Sequence, residues 1–284
     1  MTIAELLGEA AAALAQASFS EPRRRARRLL SEAIGLSPAE LLARSEHPLA
    51  ARDVERSRVM LGRMAAGEPL SRILGRRAFW SLEFALSAAT LDPRPESETL
   101  VEAVRCRVPG RGEGRRFLDL GTGTGCLLLA LLAEFPRALG IGIDITEEAV
   151  VTARENARRL GFADRALFLA GDWARAVTGR FDAVVTNPPY VATASLADLP
   201  RAVARYDPQR ALDGGADGVA AYRTFAADLP ALLAPAGLFA CEIGWGQAST
   251  VASILKGAGL TIEAIMRDLA GIERVVIARR GPDG

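Results

Sequence analysis

The residues best suited to chemistry are Asn187-Pro188-Pro189-Tyr190, which follow the apolar run 181–186. Two consecutive prolines remove two backbone donors and fix the local path, which leaves the Asn187 Oδ1 and the Pro188 carbonyl as acceptors facing one point. A planar NH2 group satisfies both acceptors, and Tyr190 would wall it or stack on it. We therefore predict a catalytic and substrate-binding site for a planar amide or amino nitrogen. The alternative is a structural double-proline turn.

A nitrogen of this kind is a poor nucleophile because its lone pair is delocalised. Acceptors that hold its two hydrogens bind more strongly as the nitrogen gains positive charge, so they stabilise the transition state. An in-line displacement can be accelerated by such positioning without a metal or an obvious general base. Three widely spaced cysteines and one histidine give no ligand cluster either, so we expect no metal site.

The second candidate site is the turn Gly121-Thr122-Gly123-Thr124-Gly125, which lies between the apolar run 116–120 and a helical pattern. Ligands of open α/β sheets bind at this end of a strand, where glycines allow close backbone approach and the helix N-terminus favours an anion. The dinucleotide fingerprint would need glycine in place of Cys126, and the Walker lysine is missing. Nicotinamide cofactors and nucleoside triphosphates are therefore disfavoured.

Two further strand ends carry polar residues that suit an adenosine. Asp144 ends the run 138–144 and could accept hydrogen bonds from both ribose hydroxyls. Asp172 and Trp173 follow the run 165–170 and offer a carboxylate for a purine amino group and an indole for stacking. Alternatively, Asp172 caps a helix and Trp173 belongs to the core. The strand ends together favour an adenosine-bearing ligand.

Apolar strand-like runs alternate with helical patterns from residue 116 onward. The predicted strands are 116–120, 138–144, 165–170, 181–186, 237–243, 260–267 and 273–279, and the predicted helices are 125–134, 147–160, 217–233 and 247–257. Such alternation is typical of an α/β fold with a mostly parallel, doubly wound sheet covered on both faces. The last two strands, joined by the short turn 268–271, should pair antiparallel.

The first part of the chain has a different pattern. Apolar residues at helical spacing predict four helices, over 3–17, 22–34, 38–44 and 52–66. Short strand-like stretches follow at 78–80 and 82–86, and Pro93 and Pro95 predict an extended or turn path without a helix. We interpret 1–76 as a helical domain, 77–93 as a β-hairpin linker and 94–284 as the domain that carries both candidate sites.

Charge and hydropathy exclude several classes of protein. The net charge is +1, and residues 1–80 hold 13 arginines against 9 acids, which is much weaker than the basic stripe of an autonomous nucleic-acid binder. No run is apolar and long enough for a signal peptide or a membrane span, so we expect the cytoplasm. We expect a monomer because no heptad pattern or long apolar edge stands out. An arginine cluster in the second helix is either a solvated face or a docking face for an acidic partner; it comprises Arg23, Arg24, Arg25, Arg27 and Arg28.

Along essentially its full length the chain resembles the bacterial enzymes that methylate glutamine N5 in peptide-chain release factors. A strand-final NPPY is also found in DNA adenine methyltransferases and in some RNA guanine methyltransferases, and other segments select the release factor enzymes. These segments are 67–70, 73–75, 79–82, 93–102, 119–125, 211–218, 242–244 with Gln247, and 268–271.

The resemblance implies a class I methyltransferase fold that uses S-adenosylmethionine (AdoMet) and leaves S-adenosylhomocysteine, with a Rossmann-like sheet whose last strand is antiparallel. It implies that the acceptor is the glutamine of the Gly-Gly-Gln motif in class I release factors, and that the helical domain recognises this protein substrate. Arg94 and Glu96 would lie at the cofactor entrance or would lock the hinge. The implied AdoMet contacts are Gly121, Thr122, Gly123, Thr124, Gly125, Asp144, Trp173 and Asn187, beside Asp172 from the strand-end pattern, and the implied glutamine contacts are Asn187, Pro188, Pro189 and Tyr190.

Two departures from the family pattern are Arg72, where tyrosine is usual, and Asp207, where glutamate is usual. We expect both to lie outside the catalytic loop and to affect docking more than chemistry. The rival function is methylation of an adenine or guanine amino group in DNA or RNA, because those groups present the same planar NH2. An enzyme that methylates a base in double-stranded nucleic acid would need a basic target-recognition domain to extrude that base. We therefore expect no direct nucleic-acid binding and no membrane binding.

Overall fold

The computed structural model describes residues 1–280, apart from the side chain of Ala176. The chain forms two compact units, Met1–Leu74 and a larger one that begins at Gly75. We call them the helical unit and the sheet unit. Among the described residues, none of the helices has the length and apolar character needed to cross a membrane.

The helical unit contains the four predicted helices and a short fifth one. They are α1 (Ile3–Gln16), α2 (Pro22–Ile34), α3 (Pro38–Ala43), α4 (Ala51–Ala65) and α5 (Leu70–Leu74). Thr2 and Glu5 form a capping box that satisfies free N–H groups at the start of α1, and Gly35 ends α2 in the left-handed conformation. The unit has its own core, built around Leu6, Leu14 and Leu29.

The sheet unit has nine strands. They are β1 (Arg76–Phe79), β2 (Leu82–Ala85), β3 (Arg116–Leu120), β4 (Leu139–Asp144), β5 (Ala166–Ala170), β6 (Phe181–Thr186), β7 (Leu233–Glu242), β8 (Leu260–Arg267) and β9 (Glu273–Arg280). Seven of them form one sheet in the order β5-β4-β3-β6-β7-β9-β8, in which β3 to β7 are parallel and β9 is antiparallel to both of its neighbours. The predicted doubly wound sheet with an antiparallel end is confirmed.

The strand order also places the site. From β3 the chain builds the sheet toward β5 and then returns to the other side with β6. Ligands of open α/β sheets bind beyond the carboxyl ends of the strands at such a switch point, here between β3 and β6. The motifs that follow β3 and β6 therefore meet at one edge of the sheet.

The helices of the sheet unit differ from prediction in two places. They are α6 (Glu98–Arg107), α7 (Cys126–Glu134), α8 (Glu147–Arg159), α9 (Arg201–Tyr206), α10 (Ala220–Ala226), α11 (Leu229–Leu232) and α12 (Ala248–Gly257). The single helix predicted over 217–233 is wrong, because Pro230 fits only in a first helical turn and therefore lies in the first turn of the separate α11, which begins at Leu229. The exclusion of a helix at Pro95 is wrong as well: the chain turns there, as the prediction allowed, but Pro95–Ser97 form a 3-10 helix that leads into the unpredicted α6.

The hairpin of β1 and β2 belongs to the sheet unit. The side chain of Asn156 in α8 accepts a hydrogen bond from the Ala85 N–H at 2.8 Å and donates one to the Ala85 carbonyl at 3.1 Å. Phe79 and Phe84 are fully buried in the same core as α7. The unit boundary after Leu74 therefore lies two residues before the predicted end of the helical domain, and the predicted linker packs on α8.

Candidate active site

The carboxyl ends of β3, β4, β5 and β6 surround a cavity of about 690 Å³. The segment 208–215 and residues Arg94 and Ser97 complete its wall. The structure thus brings together most of the residues predicted from the strand ends. Those that line the cavity are Gly121, Thr122, Gly123, Thr124, Asp144, Asp172, Trp173, Asn187 and Pro189.

The glycine loop after β3 is fixed by its own backbone. The N–H groups of Gly121 and Thr122 both donate to the Ile143 carbonyl at 2.8 Å. Gly121 and Gly123 have φ values of 72° and 53°, which favour glycine, and Gly125 (φ 79°) is the N-cap of α7. The loop therefore presents backbone to the cavity at the start of a helix, as predicted.

Asp119 lies under this loop and is fully buried. The Thr122 hydroxyl donates to its Oδ2 at 2.7 Å. Burial raises the pKa of the Asp119 carboxyl to about 7, and the nearby charge of Asp144 adds to this rise, while the Thr122 hydrogen bond opposes it. The carboxyl that supports the glycine loop is thus poised near neutral pH.

Asp144 is held in the cavity wall by three hydrogen bonds. Its Oδ2 accepts from the Gly123 N–H at 2.9 Å, and its Oδ1 accepts from the N–H and the hydroxyl of Thr146 at 3.1 and 2.9 Å. A carboxylate has about four acceptor positions, so about one remains for a ligand. The predicted bonds from two ribose hydroxyls stay a prediction.

Asp172 and Trp173 follow β5. Asp172 forms an ion pair with Arg175 at 2.8 Å. The Trp173 ring packs on Phe225 with centroids 5.2 Å apart, and the same side chain lines the cavity near Gly121. The two alternatives for Trp173, a core residue and a cavity residue, therefore both hold.

A chain of hydrogen bonds runs behind Asn187. The Asn187 Nδ2 donates to the Ser97 Oγ at 3.0 Å, and the Ser97 hydroxyl donates to the Glu242 Oε2. The Tyr190 hydroxyl donates to the other oxygen of Glu242 at 3.0 Å. Burial raises the pKa of Glu242, while the bonds from Ser97 and Tyr190 and the charge of Arg274 lower it. We call Asn187, Ser97, Glu242 and Tyr190 the strand-end network.

Sequence reasoning gave Ser97 and Glu242 no role of their own. Both were noted only within segments that carry the family resemblance. The available signal was a glutamate at the end of an apolar strand, since Glu242 follows the buried run 238–241 and is itself 1% exposed. A carboxylate is seldom buried unless it is bonded, so its position alone indicated a polar partner.

Tyr190 was predicted to wall the planar group. In the structure its hydroxyl bonds to Glu242, its ring packs on the core that contains Phe239, and burial raises its pKa. Its backbone carbonyl accepts a hydrogen bond from the Gln247 Nε2 at 2.9 Å. Its contact with a substrate stays a prediction.

The segment 212–218, which we call the glycine-rich strap, packs on the backbone of the Asn187–Tyr190 motif. The Val191 N–H donates to the Leu212 carbonyl at 2.9 Å, and the Gly214 N–H donates to the Val191 carbonyl at 2.8 Å. A Cβ atom at Gly218 would lie 2.5 Å from the Tyr190 carbonyl oxygen. Only glycine therefore permits this approach.

Asp207 lies closer to the cavity than predicted. Its carboxylate accepts hydrogen bonds from the Arg94 guanidinium and from the Asp92 N–H, and its side chain is only 4% exposed. Arg94 and the neighbouring Pro208 both line the cavity. Asp207 lies outside the Asn187–Tyr190 loop, as expected, but its carboxylate fixes the arginine at the cavity wall. Its effect on docking and on chemistry stays a prediction. Glu96 is exposed, and Arg72 lies in α5 of the helical unit.

The chain is similar to several known proteins over most of its length. Residues 5–75 match the family model described as the PrmC N-terminal domain, and residues 112–245 match a methyltransferase domain. The release factor glutamine methyltransferase of Rhodospirillum rubrum is 50% identical over 284 residues, which is 100% of this chain and 87% of that protein. The enzyme of the same name from Bradyrhizobium diazoefficiens is 43% identical over 96% of this chain and 93% of its own length. A solved methyltransferase from Pyrococcus furiosus, 16% identical with a TM-score of 0.53, covers 78% of this chain and 97% of its own and shares the fold.

Proposed function

Because the chain belongs to the family of release factor glutamine methyltransferases, we propose that it transfers a methyl group from AdoMet to the side-chain amide nitrogen of the glutamine in the Gly-Gly-Gln motif of class I peptide-chain release factors. One observation carries the proposal. Asn187 and Pro189 line the same cavity as the glycine loop, so a planar nitrogen held by the motif lies beside a cofactor held by the loop.

The residues around the cavity fit AdoMet. Its volume lies in the range of about 300–1,000 Å³ that is typical of small-molecule sites. The glycine loop at the start of α7 would take the methionine carboxylate, Asp144 would accept from one ribose hydroxyl, and Asp172 with Trp173 would border the adenine. AdoMet, when bound, supplies an electrophilic methyl group.

The motif holds the acceptor nitrogen. The Asn187 Oδ1 and the Pro188 carbonyl accept the two hydrogens of the glutamine amide and fix its nitrogen toward the cavity. Both bonds strengthen as the nitrogen becomes positive during methyl transfer, so they contribute more to the transition state than to substrate binding. Arg94, fixed by Asp207, borders the same space.

The remaining parts of the proposal concern the partner and the location. We propose that the helical unit recognises the release factor, that no nucleic acid is bound directly, and that the protein works as a monomer in the cytoplasm. The support for a protein substrate is the family membership together with the weak net charge of +1.

The decisive experiment uses the purified full chain, AdoMet labelled in the methyl group, and a class I release factor. We expect label on the glutamine of the Gly-Gly-Gln motif, located by mass spectrometry, and no label when that glutamine is replaced by alanine. Label that entered only DNA or ribosomal RNA would contradict the proposal and would favour the rival amino-methyltransferase.

A further inference from the structure

The strand-end network contains a buried carboxylate two hydrogen bonds behind the proposed substrate acceptor. Glu242 ends β7, is 1% exposed, and receives the hydroxyls of Ser97 and Tyr190, one on each oxygen. Ser97 is 2% exposed and stands 145 residues away in the sequence. Burial of a glutamate is costly, so a site that retains one in contact with the motif has a use for its hydrogen-bonding character.

The direction of each hydrogen bond follows from what each group can donate. Glu242 accepts on both oxygens, from Ser97 on one and from Tyr190 on the other, so the single hydroxyl hydrogen of Ser97 points to Glu242. The Ser97 oxygen can then only accept on its other side, where Asn187 lies at 3.0 Å. Asn187 must offer its NH2 to Ser97, and its Oδ1 therefore turns away from Ser97.

We propose that Ser97 and Glu242 are positioning residues that fix which way the Asn187 amide faces, so that its oxygen and not its NH2 group meets the substrate nitrogen. The inference rests on the proposed function, since it assumes an NH2-bearing acceptor, and it deepens that function by assigning the acceptor character of Asn187 to a carboxylate at the end of β7.

A reversed amide would be harmful for a simple reason. The two ends of an asparagine amide have nearly the same shape, so packing alone selects between them weakly. A reversed Asn187 would set its NH2 group against the NH2 group of the substrate, and a donor would be left without an acceptor. The penalty for one such unsatisfied group corresponds to about a tenfold to hundredfold loss of rate.

The first test is Glu242→Gln, which keeps the shape of the side chain and removes its acceptor-only character. The glutamine NH2 can donate to Ser97, and the Ser97 hydrogen is then free to bond the Asn187 oxygen and reverse the amide. We expect kcat on the release factor to fall about tenfold to hundredfold, while KM and the affinity for S-adenosylhomocysteine stay within about twofold. An unchanged kcat would overturn the proposal.

Ser97→Ala is the second test, and Ser57→Ala is its matched control. Ser57 is a buried serine of the helical unit whose hydroxyl donates to the Asp53 carbonyl at 2.7 Å, so the control deletes the same group with the same burial. We expect Ser97→Ala to lower kcat about tenfold and Ser57→Ala to stay within about twofold of the wild type. Equal effects would overturn the proposal, because they would mark a general packing loss.

Rescue separates orientation from structure. In the Glu242→Gln background the Ser97 hydrogen points toward position 187, and an aspartate there accepts on both sides. We therefore expect Asn187→Asp combined with Glu242→Gln to have a higher kcat than Glu242→Gln alone, while Asn187→Asp alone is impaired, because its carboxylate faces an oxygen with no hydrogen to give. If the loss of kcat in the double variant equals the product of the losses in the two single variants, the proposal is overturned.

The two proposals fail in different ways. Wild-type protein that methylates adenine in DNA and not the release factor would contradict the proposed function. The kcat values of the same variants, measured on adenine, would still test the orientation of Asn187. If the wild type methylates the release factor and the Glu242→Gln variant does so equally well, only the positioning role is contradicted.

Discussion

Asn187 contributes two polar atoms to the site, and each has a different task. Its Nδ2 is anchored on Ser97, and its oxygen is proposed to hold the acceptor nitrogen. We expect Asn187→Ala to lower kcat about a hundredfold or more, because it removes an acceptor that acts on developing charge. Methyl transfer and far-UV circular dichroism should be measured together. Wild-type turnover in a folded variant would show that the substrate clamp lies elsewhere.

Asp119 gives a residue-scale prediction about stability. Because burial raises its pKa from 3.8 to about 7, the folded chain binds this proton more tightly than the unfolded chain. Asp119 therefore lowers the free energy of unfolding by up to about 4 kcal/mol as the pH rises from about 4 to about 7. Asp119→Asn keeps an acceptor for Thr122 and removes this dependence.

The expected result is a melting temperature that exceeds that of the wild type by more at pH 8 than at pH 5. Calorimetry of both proteins across this range measures it. The same difference at both pH values would mean that Asp119 is already ionised in the folded protein throughout this range. AdoMet should be absent from both samples, since a ligand bound over Asp119 would stabilise the folded state by mass action.

Individual site residues were predictable where their role follows from position along one strand. The glycine loop, Asp144, Asp172 and Asn187 each end an apolar run, and parallel strands bring such ends to one edge. Ser97 and Glu242 were missed because their bond joins residues 145 apart, and local patterns carry no information on such pairs. The bonds of Asp144 to Thr146 were not predicted, because they depend on the turn after β4.

At the scale of elements, the glycine-rich strap determines the path of the motif that it covers. Gly218 has a φ of 77° and no room for a Cβ, whereas Gly161 has a φ of 80° with open space around it. An alanine at either position costs about 1 kcal/mol of backbone strain. Only the alanine at Gly218 would also displace the Tyr190 carbonyl.

We therefore expect Gly161→Ala to lower stability slightly with normal activity, and Gly218→Ala to lower kcat about tenfold to hundredfold, since small misplacements of reacting groups are costly. Urea unfolding and steady-state kinetics on both variants measure the two effects. Equal activity in the two variants would show that the strap does not position the motif.

Elements were predictable where one pattern ran without interruption. The five parallel strands and α8 follow from regular apolar spacing, but 217–233 has helical spacing across Pro230, and there the loss of a backbone donor overrides the spacing. The missed α6 carries Leu100, Val101 and Val104 at helical spacing, directly after two prolines that favoured an extended interpretation. A proline can mark the first turn of a helix as well as a segment that is not helical.

For the whole molecule, the open question is how the helical unit takes part in recognition. Arg23 and Arg28 are exposed on α2, so they can face an acidic partner or only water. If they dock the release factor, replacing both with glutamate should raise KM for the whole factor about fivefold to tenfold and leave kcat unchanged. The KM for a short peptide that contains Gly-Gly-Gln should not move.

The control is Arg158→Glu, which reverses an exposed charge at the end of α8 in the sheet unit. The effect of the α2 variant should also shrink in high salt, where charges more than about one Debye length apart are screened. Unchanged KM in the α2 variant would identify the arginines as a solvated face.

The position of β9 has a consequence for how the protein is made. Strand β7, which carries Glu242, finds its second neighbour only in β9 (Glu273–Arg280), which follows β8 in the chain and is therefore synthesised after both β7 and β8. A nascent chain that has already assembled β3 to β6 would still present β7 as an unpaired apolar edge, the kind of surface that chaperones bind and that aggregates when release is delayed. The enzyme proposed to mature release factors would thus complete the strand pairing around its positioning carboxylate only after β9 has been synthesised.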